Sequence, residues 1–587
     1  MNKLKYWVTA GAGLIAVQTQ ADTPPTQTSD RPNVVVFLID DLSHYGVTAY
    51  GADRVTSNQE LFTNESFATP RIDSLAADGL RCEYAYAYSV CEPSRVAIMT
   101  GMNNNRNFIQ AKALHESQVT FGDIFQKAGY ATCMVGKWKQ TRGTKESPGA
   151  DYISKFGWDE FLCFDVTGEG RRMIEPWMVE NGTPRSFDGI DPATGRRYYG
   201  PDLINRFALN FIERHKNEPF FLYYPMLLVH DEHTPTPDTK PAKLFDEFDV
   251  EKPAEFGPMK GDERIYFPDM LNYMDKMVGN VLAKLDQLGL SDNTLVVVMA
   301  DNGTKECFSH VRPDGSLYPG GKGSTAENGI RVPLLLRWPA KIPAGEVYSG
   351  LVNITDIFPT LCEAAGLSFP DLGRLDGKSF WPQATGQSSS PHREAIYTWY
   401  NANQPSTDLD TLLEYAHTRD FKRYAPHKGF PHGRFFDLRT DPLEQAGEPV
   451  VKFTWDRWHY SGLDTANLTP EQQAAYDSLG KILESNKFTP VQGLEIINGD
   501  APLRVGDTGT LEYRVLPAGA TRQGVVWESS DPDVVSVDKF GTLAAHKPGR
   551  ATITVYSWDD AYPVASNSEQ TFSREGIQAK VSFEVSR

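Results

Sequence analysis

Between residues 31 and 303 the chain alternates continuous apolar runs with amphipathic runs. Four apolar runs have the character of buried strands, and they lie at 31–41, 127–139, 218–230 and 293–303. The runs typical of helices, the last with apolar side chains at three- and four-residue spacing, lie at 69–80, 204–217 and 271–285. Strands that alternate with helices predict an α/β fold with a doubly wound, mostly parallel sheet covered on both faces.

The pattern changes twice towards the C-terminus. From 391 to 488, short strand-like segments precede one helical run that begins near Thr469, which predicts a small α+β subdomain. From 489 to 587, short alternating segments are separated by Gly, Pro and Asp, which is typical of an all-β, immunoglobulin-like sandwich. The remaining α/β unit is then expected at 30–390.

The N-terminus has the features of a secretory signal peptide over residues 1–21. A basic start precedes a short apolar run and a small-residue site that ends near Ala21. That run is too short for a stable anchor, and no later stretch reaches the roughly 20 apolar residues that cross a bilayer as a helix. We expect an exported protein without a membrane span, located in the periplasm or outside the cell.

Composition narrows the range of partners. The 587 residues are 40% hydrophobic and 23% charged, which is ordinary for a globular protein. The net charge of −18 disfavours nucleic acid, because the field of the whole molecule would repel a polyanion. Six dispersed cysteines are too few for a disulfide scaffold, although one or two disulfides are compatible with export. Otherwise we expect core thiols at Cys82, Cys133, Cys163, Cys307 and Cys362.

Two of the predicted strands end in oxygen-bearing side chains. Asp40 and Asp41 follow the first strand, and Asp301 and Asn302 follow the fourth. The carboxyl ends of parallel strands meet at one edge of an open α/β sheet, where such folds place ligands. Either pair alone is common in surface turns, but together they form the ligand set of a hard cation such as Ca²⁺ or Mg²⁺.

The run CEPSRVAIMTG at residues 91–101 is the most specific motif of the chain. It resembles the CxPSRxxxxTG signature of the formylglycine-dependent sulfatases of the alkaline phosphatase superfamily, with matches at Pro93, Ser94, Arg95, Thr100 and Gly101. The alternative is a buried or disulfide-bonded Cys91 at a routine helix start. Other segments between about 31 and 450 resemble the same family, and 525–555 resembles bacterial group 2 immunoglobulin-like modules.

The resemblance implies that a formylglycine-generating maturation enzyme oxidises Cys91 to 3-oxoalanine (formylglycine). The hydrated aldehyde carries two hydroxyls on one carbon, so one can attack sulfur while the other later expels sulfate by re-forming the carbonyl. A divalent cation, Ca²⁺ in preference to Mg²⁺, would polarise the sulfate and lower the pKa of the attacking hydroxyl. Its ligands would be Asp40, Asp41, Asp301, Asn302 and the modified Cys91.

The same resemblance assigns cationic and histidine residues to the site. Lys137 in GKWK and Lys322 in GGKGS match lysines that contact the sulfate. Arg95 would brace the hydrate and the metal carboxylates. His230 would contact the sulfate or protonate the leaving group, and His233 competes for this role because a short shift of the loop would exchange the two.

Position 139 departs from the family pattern. Many sulfatases have histidine in GKWH, placed to deprotonate the formylglycine hydroxyl, whereas this chain has Lys139. Lysine can hold sulfate but normally stays protonated. Either neighbouring cations and the metal lower the pKa of Lys139, or another group takes the proton.

These features predict an exported sulfatase that hydrolyses a sulfate monoester, with a sulfated glycan as the expected substrate. The alternatives are a phosphonate monoester or phosphodiester hydrolase of the same superfamily and a non-catalytic glycan-binding protein. We expect the loops 142–200 and 395–435 to decide the substrate. They contain residues to which no individual role is assigned, namely Arg171, Arg172, Trp177, Trp399 and Arg434.

Overall fold

A computed structural model describes most of the chain after the predicted signal peptide, which lies outside the described residues. The described ranges are 31–107, 113–141, 149–167, 170–254, 259–368, 375–401, 412–453, 457–499, 502–561 and 576–587. No helix in these ranges combines the length and the apolar character that crossing a bilayer requires. All six cysteines are buried free thiols in the structure.

An eleven-stranded sheet forms the centre of the α/β part. Its strands, from one edge to the other, are Arg331–Val332, Leu80–Tyr86, Leu334–Arg337, Thr294–Ala300, Asn33–Ile39, Phe220–Pro225, Ala131–Lys137, Glu160–Phe164, Trp177–Glu180 and Thr183–Ser186, and Glu346–Asn353 also pairs with Leu80–Tyr86. The five consecutive strands from Thr294–Ala300 to Glu160–Phe164 are parallel. The strands on both sides of them pair antiparallel, except that Glu346–Asn353 runs parallel to Leu80–Tyr86. The predicted α/β fold with a mostly parallel central sheet is confirmed.

The central strands are apolar along their whole length because both faces of the sheet are covered. Every residue of Asn33–Ile39 is fully buried. The helices of eight or more residues are Pro70–Ala77, Cys91–Thr100, Gly200–Arg214, Phe267–Gln287, Ile357–Ala364 and Pro470–Ser485. The shorter α-helices are Asn104–Asn107, Phe121–Lys127, Lys243–Asp246, Glu327–Ile330 and Trp381–Ala384.

The third predicted strand ends earlier than its apolar pattern indicates. It stops at Pro225, so the prediction that this strand runs to His230 is wrong. The next residues stay buried but follow the loop after Asn33–Ile39, since the amide of Met226 donates to the carbonyl of Leu38 (2.9 Å) and the amide of Val229 donates to the carbonyl of Asp40 (3.1 Å). Burial without sheet pairing explains why the sequence looks strand-like there.

Smaller antiparallel sheets accompany the central one. One contains Leu317–Pro319, Phe308–Val311, Arg54–Ser57 and Glu65–Ser66, and a second contains Ile190–Asp191 and Arg196–Arg197. A four-stranded sheet follows, with Ile396–Asn401, Leu412–His417, Phe421–Tyr424 and Arg434–Asp437. The helix Pro470–Ser485 packs on this sheet through Leu479 and Leu483, and the hairpin of Pro449–Phe453 and Arg457–Tyr460 lies between them in sequence.

The C-terminal part is all β, as predicted, and has its own apolar core around Trp527. Its strands are Gly493–Ile496, Leu503–Arg504, Thr508–Thr510, Tyr513–Leu516, Val525–Ser529, Val535–Val537, Thr542–Ala545, Gly549–Ser557 and Gln578–Ser586. This sandwich packs against the chain that follows the helix Cys91–Thr100. An apolar cluster joins Met102 to Val526, Tyr556 and Trp558. Arg522 Nε donates to the carbonyl of Asn105 (3.1 Å), so the sandwich is docked on the α/β part.

Replacing Lys539 with methionine should weaken this docking. The Lys539 ammonium pairs with Asp123 across the interface (3.0 Å), and the two side chains are 14% and 8% exposed. Removing one partner leaves the other charge buried, so we expect the free energy of unfolding to fall by about 2 kcal/mol. The matched control is Lys547→Met, because Lys547 pairs with Asp533 (3.1 Å) at 50% and 80% exposure and should change stability by less than about 0.5 kcal/mol. Urea unfolding of the full chain measures both, and equal effects would contradict the docking.

Candidate active site

Polar side chains predicted from separate strands meet at one edge of the central sheet. Asp40 and Asp41 directly follow Asn33–Ile39, and Asp301 and Asn302 directly follow the neighbouring strand Thr294–Ala300. All four are buried, with exposed fractions of 2% or less. The parallel register brings them together, since the amide of Asp41 donates to Asp301 Oδ1 (3.1 Å) and Asn302 Nδ2 donates to Asp41 Oδ1 (2.8 Å).

Cys91 is the first residue of the helix Cys91–Thr100, and every residue of that helix is buried. Ser94 ties the start of the helix to the sheet edge, because its hydroxyl donates to the carbonyl of Asp301 (2.5 Å) and accepts from the amide of Tyr88 (3.0 Å). Gly101 is the residue that directly follows the helix, and its φ of +67° favours glycine. These contacts give structural reasons for the serine and the glycine of the motif.

Arg95 lies one helical turn after Cys91 and faces the carboxylates. Its Nε and Nη2 donate to Asp301 Oδ2 (3.0 and 2.7 Å), and its Nη1 donates to the carbonyl of Lys137 (3.0 Å). The side chain is 1% exposed. Arg95 therefore links the helix, the strand that carries Lys137 and the loop that carries Asp301.

Lys137, at the end of its strand, brings a positive charge next to the thiol. Its Nζ donates to Asp40 Oδ2 (2.6 Å) and lies 3.6 Å from Cys91 Sγ. The preceding Gly136 has a φ of +118°, and a Cβ there would collide with the carbonyl oxygen of Pro225. The glycine thus allows the strand to deliver the lysine at this close approach.

Lys322 and His230 form the opposite side of the site. Lys322 Nζ donates to Asp41 Oδ2 (2.6 Å) and to His230 Nε2 (2.9 Å). His230 Nδ1 contacts the carbonyl and the carboxylate of Asp231 and lies 3.1 Å from Arg172 Nη1. Burial lowers the pKa of His230 to about 4, opposed by Asp41 and reinforced by Lys137 and Lys322. The imidazole is therefore neutral at neutral pH and accepts at Nε2.

The other candidate histidine, His233, lies away from this cluster. Its Nδ1 is 2.7 Å from Asp262 Oδ1, and its amide donates to the same oxygen (2.9 Å). Its ring packs against the rings of Phe267 and Phe308. Of the two histidines that competed in the sequence, His230 is the one that contacts Lys322 and Asp41.

The neighbouring cations determine the charge of two of the three carboxylates. Burial acts to raise the pKa of Asp40 and of Asp41, but neighbouring groups hold both pKa values below the usual range. For Asp40 the chief one is Lys137. For Asp41 they are His230, which is charged only in the acidic range where its ring is protonated, and Lys322, which is charged at neutral pH as well. Asp301 behaves differently, because burial and then the charge of Asp40 raise its pKa to about 7 despite Arg95. A further positive charge at this edge would stabilise all three as carboxylates.

The donor set fits a hard divalent cation. Asp40 Oδ1 and Asn302 Oδ1 are buried and accept no hydrogen bond from the described residues, and Arg95 Nη2 lies 3.5 Å from Asp40 Oδ1. One ligand atom each from Asp40, Cys91 and Asp301 lies within 4.8 Å of the others. Carboxylate and amide oxygens are the preferred ligands of Ca²⁺ and Mg²⁺. Asp40, Asp41, Asp301 and Asn302 could hold such an ion beside residue 91.

Lys139 and Glu92 form a pair that contacts the thiol. Cys91 Sγ is 3.1 Å from Glu92 Oε2, and Lys139 Nζ is 3.3 Å from Glu92 Oε1. The pKa of Lys139 is raised by Cys91 where that thiol is ionised, burial opposes the shift, and the carboxylate of Glu92 adds to it. This direction describes the unmodified thiol, so the two alternatives for position 139 both stay predictions for the modified site. Burial, reinforced by Glu92, also raises the pKa of Cys91 to about 11, so the unmodified residue is a neutral thiol at neutral pH.

Sequence reasoning missed three residues that contact the site. Glu92 lies inside the motif, and its position in the first helical turn beside Cys91 was a usable signal. Arg172 and Asp231 touch His230, but their loops place them there and no spacing rule predicts it. The predicted residues Asp40, Asp41, Cys91, Arg95, Lys137, Lys139, His230, Asp301, Asn302 and Lys322 all belong to one connected set of contacts.

Comparison with known proteins gives three matching family models. Residues 32–367 match the Sulfatase model, 322–448 match the C-terminal model of N-sulphoglucosamine sulphohydrolase, and 490–562 match the group 2 bacterial Ig-like domain. Steryl-sulfatase of Mus musculus is 26% identical over 67% of this chain and 71% of its own length. N-acetylgalactosamine-6-O-sulfatase of Bacteroides thetaiotaomicron is 25% identical over 71% of this chain and 90% of its own length.

Solved structures share the fold. A protein solved in complex with its substrate D-glucosamine-2-N,6-O-disulfate superposes with a TM-score of 0.57 at 22% identity, covering 78% of this chain and 99% of that chain. A sulfatase structure from work on the metabolism of glycosaminoglycans by Bacteroides thetaiotaomicron gives a TM-score of 0.54 at 22% identity, and it also covers 78% of this chain and 99% of that chain. At this identity the likeness establishes the architecture.

Proposed function

This chain belongs to the sulfatase family of the formylglycine type, whose members hydrolyse sulfuric esters, and from that membership we propose that it desulfates a glycan by means of a formylglycine formed at Cys91. One observation carries the proposal. The sulfur of Cys91 lies within 4.8 Å of a carboxylate oxygen of Asp40 and of one of Asp301, and it lies 3.6 Å from the Lys137 ammonium. A buried thiol in a routine core has no need of such a charged neighbourhood.

Two groups supply chemistry that the twenty side chains lack. The hydrated aldehyde at position 91 supplies a hydroxyl nucleophile for sulfur and a second hydroxyl for release of the sulfate. A divalent cation held by Asp40, Asp41, Asp301 and Asn302 supplies positive charge at the sulfate oxygens. Ca²⁺ is our first choice, as the resemblance to the family implies, and all four protein ligands offer the oxygen atoms that such a hard cation prefers.

The residues of the chain neutralise and orient the sulfate. Lys137 contacts Asp40 and Lys322 contacts Asp41, each at 2.6 Å, so two ammonium groups lie at the sheet edge where a sulfate beside position 91 would bind. Arg95 keeps Asp301 and the Lys137 strand in place through three hydrogen bonds. Charges fixed in advance in a buried site stabilise developing negative charge strongly, because they need no reorganisation.

His230 is positioned to pass a proton to the leaving oxygen at its Nε2. Lys322 stands 2.9 Å from that atom, and Asp231 holds the opposite ring nitrogen. Burial lowers the pKa of His230, whereas the negative charge of Asp41 acts to raise it, and the negative charge of a sulfate bound next to Nε2 would likewise favour the protonated ring. Sequence features that favour export, together with a docked immunoglobulin-like module, suit a glycan substrate in the periplasm or outside the cell.

A substrate comparison tests this proposal. We expect kcat/KM for 4-nitrophenyl sulfate to exceed that for 4-nitrophenyl phosphate and that for the monoester 4-nitrophenyl phenylphosphonate by about 100-fold. The reason is that the site is complementary to a sulfate monoester. At least one defined sulfated disaccharide should exceed 4-nitrophenyl sulfate by about 10-fold, because binding energy from the second sugar lowers the barrier. Preference for the phosphorus esters would overturn the sulfatase activity, and failure on every sugar with turnover of the aryl sulfate would remove the glycan.

A further inference from the structure

A cleft of about 420 Å³ lies beside the loop that carries Lys322, and we refer to it as the hairpin cleft. Its walls come from that loop, from the start of the strand Arg434–Asp437 and from the hairpin strand Arg457–Tyr460. The residues that matter to its chemistry are Arg434, Trp458, Asn328 and Arg457. Its volume is that of a small-molecule site, and the residues assigned to catalysis above do not line it.

Arg434 gives the hairpin cleft a positive charge that lacks a partner. The side chain is buried at 3% exposure, and its Nε and Nη2 have no hydrogen-bond partner among the described residues. Its guanidinium lies 3.9 Å from the ring centroid of Tyr424 and 4.9 Å from that of Phe430, which hold it in place. A buried guanidinium without an anion is costly, so an anionic ligand would gain a strong interaction there.

The acidic residue of the cleft does not neutralise Arg434. Glu444 is engaged elsewhere, because it accepts from the hydroxyl of Tyr424 (2.6 Å) and pairs with the buried ammonium of Lys422 (2.8 Å). Lys422 in turn donates to the carbonyl of Thr325. The charges of Glu444 and Lys422 cancel each other, so the net charge of this wall is the positive charge of Arg434.

The other two walls of the cleft present groups that suit a sugar ring. Trp458 is 50% exposed and lines the cleft. The Lys452 ammonium lies over its ring at 5.4 Å from the centroid, so a sugar would stack its C–H face on the other face of the indole. Asn328 Nδ2 donates to the carbonyl of Pro319 (3.2 Å), and Asn328 Oδ1 has no hydrogen-bond partner among the described residues. That oxygen can accept from a sugar hydroxyl.

The hairpin cleft is joined to the sulfate side of the active site. Arg457 Nη2 donates to the carbonyl of Lys322 (2.7 Å), and its Nη1 donates to the carbonyl of Gly321 (3.3 Å). Ser324, which also lines the cleft, follows Lys322 by two residues, so their Cα atoms are at most about 7 Å apart. The cleft and the lysine that is assigned to the sulfate therefore belong to one short loop, which Arg457 ties to the hairpin.

We propose that the hairpin cleft binds a second anionic sugar of the substrate, adjacent to the sugar whose sulfate is hydrolysed. Arg434 pairs with a carboxylate or sulfate of that second sugar, Trp458 stacks on its ring, and Asn328 accepts from a hydroxyl. This inference rests on the glycan sulfatase function proposed above and narrows its substrate to a chain that carries a negative charge on the neighbouring unit.

Binding to a full-length Cys91→Ala chain tests the cleft without turnover. The two probes are glucuronosyl-N-acetylgalactosamine 6-sulfate and the same disaccharide with its glucuronate as the methyl ester. We expect calorimetry to show the acid binding about 10-fold tighter than the ester, because only the acid pairs with Arg434. Adding Arg434→Gln should abolish that difference. Equal affinity of acid and ester, or a difference that survives Arg434→Gln, would overturn the proposal.

Two further variants separate binding from folding. Trp458→Ala, at an exposed position, should weaken acid and ester alike by several-fold, because stacking does not depend on the carboxylate. Arg439→Gln is the matched control, since Arg439 is 41% exposed and pairs with Asp437 and Glu471. It should leave the acid preference intact.

With Cys91 restored, Arg434→Gln should turn over 4-nitrophenyl sulfate as the parent does. Loss of that turnover with unchanged acid preference would count against the cleft, whereas a parent inactive on every sulfate ester would refute the sulfatase function itself.

Discussion

The Cys91→Ala chain is expected to hydrolyse 4-nitrophenyl sulfate at least about 10³-fold more slowly than the parent, because it cannot form the hydrate and retains only the charged surroundings. The helix should stay folded, since the substitution removes only one sulfur atom and Ser94 and Arg95 make the contacts that hold the helix. Cys91→Ser should be comparably impaired, because one hydroxyl can attack but no second hydroxyl is present to release sulfate. Initial rates at saturating substrate measure both variants.

Cys362→Ala is the control for this experiment. Cys362 is also a buried free thiol, and burial raises its pKa to about 12, but it lies in the helix Ile357–Ala364 outside the set of site contacts. Its removal should leave the rate within about twofold, since it touches no group of the site. Mass spectrometry of the peptide around position 91 adds a second readout, because conversion of the thiol to an aldehyde lowers the mass. Full activity in a chain whose peptide retains the cysteine would contradict the mechanism.

Asp40→Asn should remove both the metal and most of the activity. In the chelator-treated parent, adding Ca²⁺ at about 100 times its dissociation constant should stabilise the chain by about 2.7 kcal/mol, seen as a rise in melting temperature. The variant should lose that calcium-dependent rise, because Asp40 Oδ1 is one of the buried oxygens without a hydrogen-bond partner. Its rate on 4-nitrophenyl sulfate should fall by about 100-fold or more.

The calcium-dependent increment isolates metal binding from the cost of the substitution itself. Asp40→Asn also deprives the buried Lys137 of its carboxylate, so its absolute stability will fall with or without metal. Asp262→Asn provides the comparison, because Asp262 is a buried aspartate paired with His233 outside the cluster. It should keep the full response to Ca²⁺. The metal site would be ruled out if neither the melting temperature nor the rate of the parent changed on adding chelator or Ca²⁺.

The sequence predicted the sheet edge well because strand ends follow simple geometry. Asp40 and Asp301 each come directly after an apolar run, and parallel neighbours in register place such residues side by side. Arg95 could be placed near Cys91 because residues four apart share a helix face. Lys137 required only that its strand ends on the same side.

Loop geometry limited the rest of the prediction. The strand before His230 ends five residues early, and nothing in its apolar pattern distinguishes a paired strand from a buried loop. The choice between His230 and His233 depends on how that loop turns. The pairing of Glu92 with Lys139 depends on the long-range placement of two side chains, so the protonation of Lys139 could not be judged from neighbours in sequence.

The burial of Cys91 has a consequence for biosynthesis. The residue is 2% exposed and opens a helix whose next turn is tied to the sheet, so an oxidising enzyme cannot draw the folded segment into its own active centre. For the maturation proposed here, modification and folding therefore compete in time, and a chain that folds first is trapped as an inert thiol. The active fraction of a preparation is then set kinetically while the protein is being made, and later treatment of the folded protein cannot raise it.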